Sequence, residues 1–340
     1  MSRVSTRHTR TFAQPTHVAQ GWTWAFASDE LRVGQVRGLR LLGRELVLWR
    51  GEDGAVRAAD AHCPHMGAHL KEGTVDGNAI RCFFHNWRFN AEGVLDDVPC
   101  LQRTPQAALQ MWPVAESLGL IWVWPGASPA RKPPYVPELE GADCKTRVLP
   151  LFTERCHPNV MLINAIDEHH FNSVHNLPVD LYMETAVVDG TTIAFANRTP
   201  PDEAHRLARV LKPLYSGPLT YEMCYHSANT GAVTVGPDAQ HFHILFALRI
   251  TDDGGTEGRR VLVTRKRGGL SGRVRNRLEL ALTNVVGDYF ADGDSQVFES
   301  IRFDFAVPTK ADHAIVDFVK HVEAQPAVRL GDWAVVEGSA

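Results

Sequence analysis

Two short segments of the chain each bring a cysteine close to a histidine. Cys63 and His65 are separated by one residue, and Cys82 and His85 are separated by two. Residues 66–81 lie between the two pairs. Both pairs sit in or beside turn-forming sequence, so the four side chains can converge on one site. A fold that contains this site must bring two separate turns together.

Two kinds of metal site use two cysteines and two histidines. A structural zinc site binds all four side chains to one ion. A Rieske [2Fe–2S] centre instead places both cysteines on one iron and both histidines on the other. Each half of the motif supplies one residue of each kind, so each turn would span both irons of a cluster. The spacing favours the cluster, with structural zinc as the alternative.

The first third of the chain has the pattern of a small all-β domain. Strand-like runs at 39–49, 55–60, 78–89 and 118–124 are separated by turn signals. Five prolines between residues 125 and 141 mark an extended connector. We expect the chain to be organised as a disordered arm at 1–20, a β domain at 21–124, a linker at 125–141 and an α+β domain at 142–340.

The remainder of the chain mixes helical and strand patterns. Apolar residues at helical spacing predict helices over 157–175 and 274–290. Strand-like runs occupy 219–226, 240–250 and 259–266. This mixture predicts an antiparallel sheet packed with helices.

A second group of metal-binding residue types lies in the first of these helices. His170 and His175 are five residues apart and follow Asp167. Five residues turn an α-helix by about 500°, so the helix must bend or end near 172–173 for both rings to reach one metal. Two imidazoles and one carboxylate form the facial triad of non-haem Fe(II) oxygenases. The alternative is a helix face with unrelated polar histidines.

The third member of such a triad must be a distant carboxylate. Asp288, Asp292 and Asp294 are the candidates within 288–301. Spacing alone does not separate them.

Both motifs resemble those of the Rieske non-haem iron oxygenases, the superfamily of ring-hydroxylating oxygenase α subunits. "CPHMGAHL" (63–70) is similar throughout to the family's C-P-H-x-G-A-x-L, including Gly67. The second loop departs from the family's C-P-x-H-x-W because Phe83 replaces the usual proline, although Trp87 is retained. The resemblance implies an all-β Rieske domain joined to an α+β, helix-grip-like catalytic domain.

The resemblance also implies a role for each candidate residue. The cluster would be bound by Cys63, His65, Cys82 and His85. His170 and His175 match D-x-x-H-x₄-H, whose histidines bind the mononuclear Fe(II), and Asp167 would carry electrons from the cluster histidine of a neighbouring subunit. Asp294 fits the family's third ligand because Val297 and Phe298 follow it at the expected spacing, and Asp292 is the reserve.

The activity implied by the resemblance is an O₂-dependent oxygenation in a head-to-tail homotrimer. No G-x-G-x-x-G follows a strand, so NAD(P)H would act through a separate reductase or ferredoxin. Within the superfamily the chain looks closest to the aminopyrrolnitrin oxygenase type and to the steroid hydroxylase and cholesterol desaturase type. We expect N-oxygenation of an aromatic or heteroaromatic amine to a nitro compound. The alternative is C–H hydroxylation or demethylation of a hydrophobic ring compound such as a steroid.

Functions of other classes make different predictions. A zinc-stabilised binding module would be colourless, and a stand-alone Rieske electron carrier would not need His170. The net charge of −4 gives no sign of nucleic-acid binding, and no apolar run is long enough to span a membrane. Six scattered cysteines do not form the framework of a small secreted domain. We expect a cytoplasmic protein.

Two smaller features have more than one interpretation. His241 and His243 alternate on a predicted strand, either as partly solvated residues or as part of a substrate pocket. The basic run at 265–269 is typical of a solvated turn, and it could also attract an acidic electron donor.

Overall fold

The computed structural model describes residues 16–175, 181–200, 217–291 and 293–336. Asp292 and the first 15 residues of the expected arm therefore lie outside the described residues. Contacts along the chain define two units. The first unit contains 21–133 and 329–335, and the second contains 134–328 with the remaining terminal residues. The boundary between Pro133 and Pro134 falls within the proline-rich segment.

Antiparallel strands form the first unit. Strand β1 (His17–Ala19) precedes it in the chain. The strands of the first unit are β2 (Thr23–Ala27), β3 (Val36–Leu41), β4 (Arg44–Arg50), β5 (Val56–Asp60), β6 (Thr74–Asp76), β7 (Ala79–Arg81), β8 (Arg88–Phe89), β9 (Leu95–Asp97), β10 (Met111–Trp112), β11 (Val114–Ser117) and β12 (Leu120–Val123). They form three sheets with the orders β10-β5-β4-β3, β11-β12-β2 and β6-β7-β8-β9. This arrangement confirms the expected all-β domain.

The run predicted as one strand at 39–49 is in fact a hairpin. β3 and β4 are joined by Leu42 and Gly43, both with positive φ (47° and 73°). Two-residue hairpin loops favour this conformation because its twist matches that of the strands. Leucine rarely adopts positive φ, so the apolar pattern conceals the turn.

The core of the first unit contains both motif cysteines. Cys63 and Cys82 are buried in one cluster with Trp49, Ile80 and Phe89. The indole N–H of Trp49 donates to the carbonyl of residue 78 at 3.0 Å, so its polar atom is satisfied in the core. The two loops that carry the cysteines are therefore anchored on the same apolar packing.

The second unit contains a large antiparallel sheet and all the described α-helices. Its strands are β13 (Cys144–Val148), β14 (Phe152–Glu154), β15 (Glu184–Asp189), β16 (Thr192–Thr199), β17 (Leu219–Tyr225), β18 (Thr230–Pro237), β19 (Phe242–Ile250) and β20 (Thr256–Arg265). The sheet order is β13-β20-β19-β18-β17-β16-β15, and β14 also pairs with β20. A small sheet contains β1, β21 (Ala327–Arg329) and β22 (Val335–Val336).

The described α-helices are α1 (Pro158–Asn164), α2 (Glu168–Ser173), α3 (Gly269–Ala291), α4 (Asp294–Ser300) and α5 (His313–Ala324). Helix α5 is amphipathic and buries Ile315, Phe318 and Val322 in the core of the second unit. Helix α3 contains the helix predicted at 274–290 and begins five residues earlier. The antiparallel sheet and its helices confirm the α+β class. No helix in the described part of the chain is long and apolar enough to cross a membrane.

The prediction of one continuous helix over 157–175 is wrong. The chain forms α1 and α2 with a break at 165–167, although α2 does end at Ser173 as expected. Asp167 starts the second helix because its Oδ1 accepts the backbone N–H groups of His169 and His170 at 3.0 and 3.1 Å. Tyr221 stabilises the break by donating its hydroxyl to the carbonyl of Ala165 at 2.5 Å.

The interpretation of His241 and His243 as partly solvated residues is wrong for His243. His243 is buried, with its Nδ1 3.0 Å from the hydroxyl of Thr234. His241 precedes β19, and its Nδ1 lies 2.6 Å from a carboxylate oxygen of Glu138. Burial lowers the pKa of His243. Arg265 and Lys266 of the basic run are exposed, as expected for a solvated turn.

The N-terminus of α1 provides a pH-sensitive contact. His157 caps α1 by accepting the N–H of Asn159 on Nδ1 at 3.1 Å, and burial lowers its pKa to about 4 from 6.5. As the pH falls below 6.5, the unfolded chain binds a proton that the folded chain does not, so stability is lost. We expect this residue to reduce the free energy of unfolding by about 2 kcal/mol at pH 5.

A His157→Asn variant tests this expectation by urea unfolding between pH 4 and 7. Asparagine retains a cap acceptor but does not titrate, so its stability should fall less steeply in this range than that of the wild type. Parallel pH profiles for the two proteins would contradict it.

Candidate metal centres

The first cysteine–histidine loop is a tight turn closed by its own backbone. The N–H of Cys63 donates to the carbonyl of Ala68 at 2.9 Å, and the carbonyl of Cys63 accepts the N–H of Gly67 at 2.9 Å. Gly67 has φ +74°, a conformation that glycine adopts at little cost. This closure holds Cys63 and His65 in one tight turn.

The second loop repeats this pattern. The N–H of Cys82 donates to the carbonyl of Trp87 at 2.8 Å, and its carbonyl accepts the N–H of Asn86 at 3.0 Å. Asn86 occupies the place of Gly67 with φ +56°, which asparagine tolerates better than most residues. Arg81 supports the loop by donating to the carbonyl of Asn86 at 2.9 Å. The substitution of Phe83 for proline leaves this closure intact, since the Phe83 side chain is 76% exposed.

The four predicted cluster ligands form a thiol pair and an imidazole pair. The Nδ1 atoms of His65 and His85 lie 3.1 Å apart. Cys63 and Cys82 are both buried, and their thiols are within hydrogen-bonding reach. Burial, with a smaller contribution from Cys82, raises the pKa of the Cys63 thiol to about 11, although the N–H of His65 opposes the shift. A metal must displace this proton, because thiolate is the binding form.

The imidazole side of this centre faces solvent. Trp87 stacks on His65 with ring centroids 4.3 Å apart and an interplanar angle of 9°, so the predicted apolar lid packs against a ligand ring. Both histidines are exposed, as are the neighbouring side chains of Met66, Phe83 and Phe84.

The second centre brings together His170, His175 and Asp294. The Nε2 atoms of the two histidines are 3.0 Å apart. Oδ1 of Asp294 lies 2.9 Å from Nε2 of His170 and 3.2 Å from Nε2 of His175. Asp294 is the first residue of α4, whereas the histidines lie on α2 and just beyond its end. Of the three carboxylates considered for this place, Asp294 makes these contacts. Asp288 instead pairs with Arg260 at 3.1 Å.

The donor atoms suit a metal ion. Neighbouring ligands of an octahedral ion with bonds of about 2.1 Å lie about 3 Å apart. All three observed distances are close to this value, so the donors form one triangular face, as a facial triad requires. Oδ1 of Asp294 is buried and faces the Nε2 atoms of both histidines. Burial lowers the pKa of His175 against the opposing effect of Asp294, and a neutral ring keeps its lone pair for a metal.

Asn164 is a site residue that the sequence analysis did not identify. Its Nδ2 donates to Oδ2 of Asp294 at 2.9 Å and lies 3.0 Å from Nε2 of His170. This contact turns Oδ1 of the carboxylate towards the two histidines. Asn164 is the last residue of α1, so the break before Asp167 also positions it.

A cavity of about 210 Å³ in the second unit reaches this centre. His175 and Asp294 lie in its wall, which is otherwise mainly apolar. Gly231 and Gly287 also line the cavity, and a Cβ atom at either position would lie 2.9 Å from a neighbouring side chain. His241 and His243 are not among the residues that line this cavity.

Comparisons with known proteins identify the first unit. Residues 21–113 match the family model of the Rieske [2Fe-2S] domain. This match confirms the prediction of a cluster in preference to zinc. Among curated proteins, the cholesterol 7-desaturase of Bombyx mori is 38% identical over 168 residues, which are 48% of this chain and 36% of that protein.

Two further relatives are oxygenases. The aminopyrrolnitrin oxygenase of Pseudomonas fluorescens is 32% identical over 191 residues, 53% of this chain and 52% of its own length. The oxygenase component of a 3-ketosteroid-9-alpha-monooxygenase of Rhodococcus rhodochrous is 30% identical over 180 residues, 51% of this chain and 48% of its own. The chain thus spans about half the length of the curated relatives it matches, or less.

Solved structures share the fold over most of the chain. Dicamba monooxygenase bound to dicamba has a TM-score of 0.61 at 19% identity, covering 91% of this chain and 97% of its own. Pseudomonas putida CBB5 NdmA with caffeine has a TM-score of 0.64 at 18% identity, covering 87% and 88%. The chain therefore contains a Rieske domain and is similar to oxygenases over about half of its length.

Removal of the Asn164 amide should weaken the second centre. We expect Asn164→Ala to lower iron affinity at the triad by about 10–100-fold, because a carboxylate without its hydrogen-bond partner is less well oriented. Iron retained after dialysis against a chelator, measured relative to acid-labile sulfide, checks this expectation. The cluster spectrum should not change.

Asn284→Ala provides the matched control. It removes an amide that donates to Asp288 at 2.7 Å on α3, away from the triad. Equal iron retention in the two variants would contradict the positioning role of Asn164.

Proposed function

We propose that the protein is the oxygenase of a Rieske non-haem iron system and oxygenates a small apolar ring compound. The observation that supports this most directly is a His–His–carboxylate triad that opens into an apolar cavity, in a chain that also carries a Rieske domain. In this proposal Cys63, His65, Cys82 and His85 bind the [2Fe–2S] cluster. His170, His175 and Asp294 bind a mononuclear Fe(II).

The protein residues prepare this chemistry in several ways. When bound, the two metal groups supply stored electrons and activation of O₂. Asn164 orients Asp294, and burial keeps His175 neutral. Phe171 packs edge-on against Tyr221 with ring centroids 4.9 Å apart, and both line the cavity. Such apolar walls exclude water from the reacting atoms.

The cavity wall favours a hydrophobic substrate with one polar group. Phenylalanine, methionine and branched aliphatic side chains make up most of the wall. Glu154 is an exception, since it shares the cavity-facing side of β14 with Phe152. Its pKa is raised by burial and by the neighbouring Glu299, and no hydrogen bond or ion pair to its carboxyl is seen among the described residues. A substrate N–H or O–H group would satisfy this carboxyl.

Two reactions are compatible with such a cavity. N-oxygenation of an aromatic or heteroaromatic amine is our first candidate, supported by the similarity to aminopyrrolnitrin oxygenase and by the acceptor at Glu154. C–H hydroxylation or demethylation of a ring compound is the second. It is supported by the similarity to a 3-ketosteroid-9-alpha-monooxygenase component.

The electrons would come indirectly from NAD(P)H through a separate reductase or ferredoxin. The exposed imidazole side of the cluster, rimmed by Met66, Phe83 and Phe84, offers a surface for electron entry. In the homotrimer that we propose, the cluster of one subunit would serve the iron of the next through Asp167.

Substrate screening under ¹⁸O₂ tests the proposed activity. We expect the reduced protein, supplied with electrons by a surrogate reductase, to insert labelled oxygen into an aromatic amine or a hydrophobic ring compound. His170→Ala should retain the visible cluster spectrum and lose the labelled product. Labelled product at the wild-type rate in that variant would contradict the role of His170. A wild type that transfers electrons but forms no labelled product would indicate a stand-alone electron carrier, and a wild type without acid-labile sulfide would contradict the proposal.

Asp167 has two roles that substitution can separate. Asp167→Asn preserves the N-cap of α2, since asparagine is an equally good cap, but it removes the negative charge. We expect this variant to retain both metals and to transfer electrons from cluster to iron more slowly in single-turnover kinetics. Asp167→Ala should in addition lose about 1 kcal/mol of stability. Wild-type electron transfer in Asp167→Asn would contradict the bridging role.

A further inference from the structure

Helix α3 is oriented with apolar side chains outwards. Five residues at helical spacing along this helix have exposures between 49% and 75%. They form the apolar stripe: Leu270, Val274, Leu278, Leu282 and Val285. The opposite side of the helix buries mainly polar or small residues, including Asn276, Glu279, Thr283 and Gly287, and Leu280 is the buried apolar exception. This is the reverse of an ordinary surface helix.

Polar contacts fix the helix in this orientation. The buried carboxylate of Glu279 accepts hydrogen bonds from the hydroxyl of Thr264 and from the guanidinium groups of Arg267 (2.5 Å) and Arg275 (2.9 Å). Burial alone would raise the pKa of Glu279, but these donors outweigh it and lower the pKa. Rotation of the helix to bury the apolar stripe would leave a charged group without its partners, at a high cost.

Basic residues flank the apolar stripe. On a helix of 100° per residue the stripe spans about 120°. Arg273 and Arg277 lie along one edge of it, Arg275 lies along the other, and all three are exposed. Six lysine or arginine residues and no acidic residue occur in 265–278. Three of these six residues form ion pairs, Arg267 and Arg275 with Glu279 and Lys266 with Asp143. The remaining positive charge contrasts with the net charge of −4 for the whole chain.

We infer that the apolar stripe and its flanking arginines dock the protein on a membrane surface that contains anionic lipids. An exposed apolar face bordered by arginines matches the acyl–headgroup boundary, where side chains enter the apolar region and cations meet lipid phosphates. A partner protein would need a matching apolar groove with acidic rims. A lipid surface needs only negative charge, so the charge pattern favours lipid.

The docking face is connected to the cavity through the same helix. Gly287 lies on the inner side of α3 and lines the cavity, and Asp294 follows the helix by three residues. Docking through this helix would place the cavity wall close to a reservoir of apolar compounds. The inference does not depend on the proposed oxygenase reaction, because membrane binding is measured without turnover.

Vesicle co-sedimentation of the cluster-loaded protein tests the inference. We expect binding to phosphatidylcholine vesicles that contain phosphatidylglycerol, and much weaker binding to phosphatidylcholine alone. Added salt should reduce the binding, because it screens the contribution of the arginines.

Two double variants separate the apolar and the charged contributions. Leu278→Glu/Leu282→Glu should weaken binding at least about 100-fold, because two leucines that would be buried in the membrane are lost. Arg273→Gln/Arg277→Gln should weaken binding to phosphatidylglycerol vesicles about 30-fold, from roughly 1 kcal/mol for each cation near the surface. Val33→Glu/Leu101→Glu, which places acids on other exposed apolar positions, should bind like the wild type.

The visible cluster spectrum shows that each variant is folded, and Leu278→Gln/Leu282→Gln provides a milder change at the same positions.

Three results would overturn the inference. The first is a wild type that does not bind phosphatidylglycerol vesicles at low salt. The second is equal loss of binding in the control variant. The third is a change of oligomeric state in the leucine variants by sedimentation velocity, which would assign the apolar stripe to contacts between copies of this chain.

Discussion

The side chain of Asp167 accepts two backbone N–H groups, and the mononuclear site depends on this contact. In a continuous helix, residues five apart point about 140° away from each other. The break before Asp167 starts a new short helix, and His175 lies just beyond the end of that helix, where the chain can turn. The Nε2 atoms of His170 and His175 thereby come within 3.0 Å.

The break also connects the local turn to a distant part of the chain. Asn164, the last residue before it, meets Asp294 through one hydrogen bond across 130 residues. The two histidines are thus placed by local backbone geometry and the carboxylate by a long-range contact. Folding of the second unit is required before the three donors can meet, so the metal site and the tertiary structure are coupled.

The residues of the predicted cluster site are positioned in a different way. Its two loops have the same backbone hydrogen bonds, and both cysteines are part of the apolar core of the first unit. The histidines stay at the surface. A cluster bound by these residues would have its cysteine side buried and its histidine side accessible, so electrons would enter and leave mainly through the histidines.

Local motifs could be predicted from the sequence, and features that depend on long-range contacts could not. The residue types and their spacing predict that Cys63, His65, Cys82 and His85 converge, because a short turn determines how close the residues of each pair come. Asp294 required a family resemblance, since spacing does not separate three nearby aspartates. Asn164 was missed because its partner is far away in the chain. The helix break was missed because apolar periodicity continues across Ile163 and Ile166, both of which are buried.

Two of the strands that the sequence analysis did not predict lack the usual sequence pattern of a strand. β15 is mostly exposed and lacks the alternation that marks a half-buried strand, and β18 contains two glycines. These two strands are defined by their pairing with β16, β17 and β19, and not by a pattern in their own residues.

The two glycines in the cavity wall make its shape adjustable. A methyl group at position 287 would press on Ile244, and one at position 231 would press on Leu162, so at each place a missing side chain faces a large one. At each pair, a larger residue in place of the glycine can therefore be combined with a smaller residue in place of its aliphatic partner. The cavity would change position with little change in total packing, and the shape of the substrate that fits it would change accordingly.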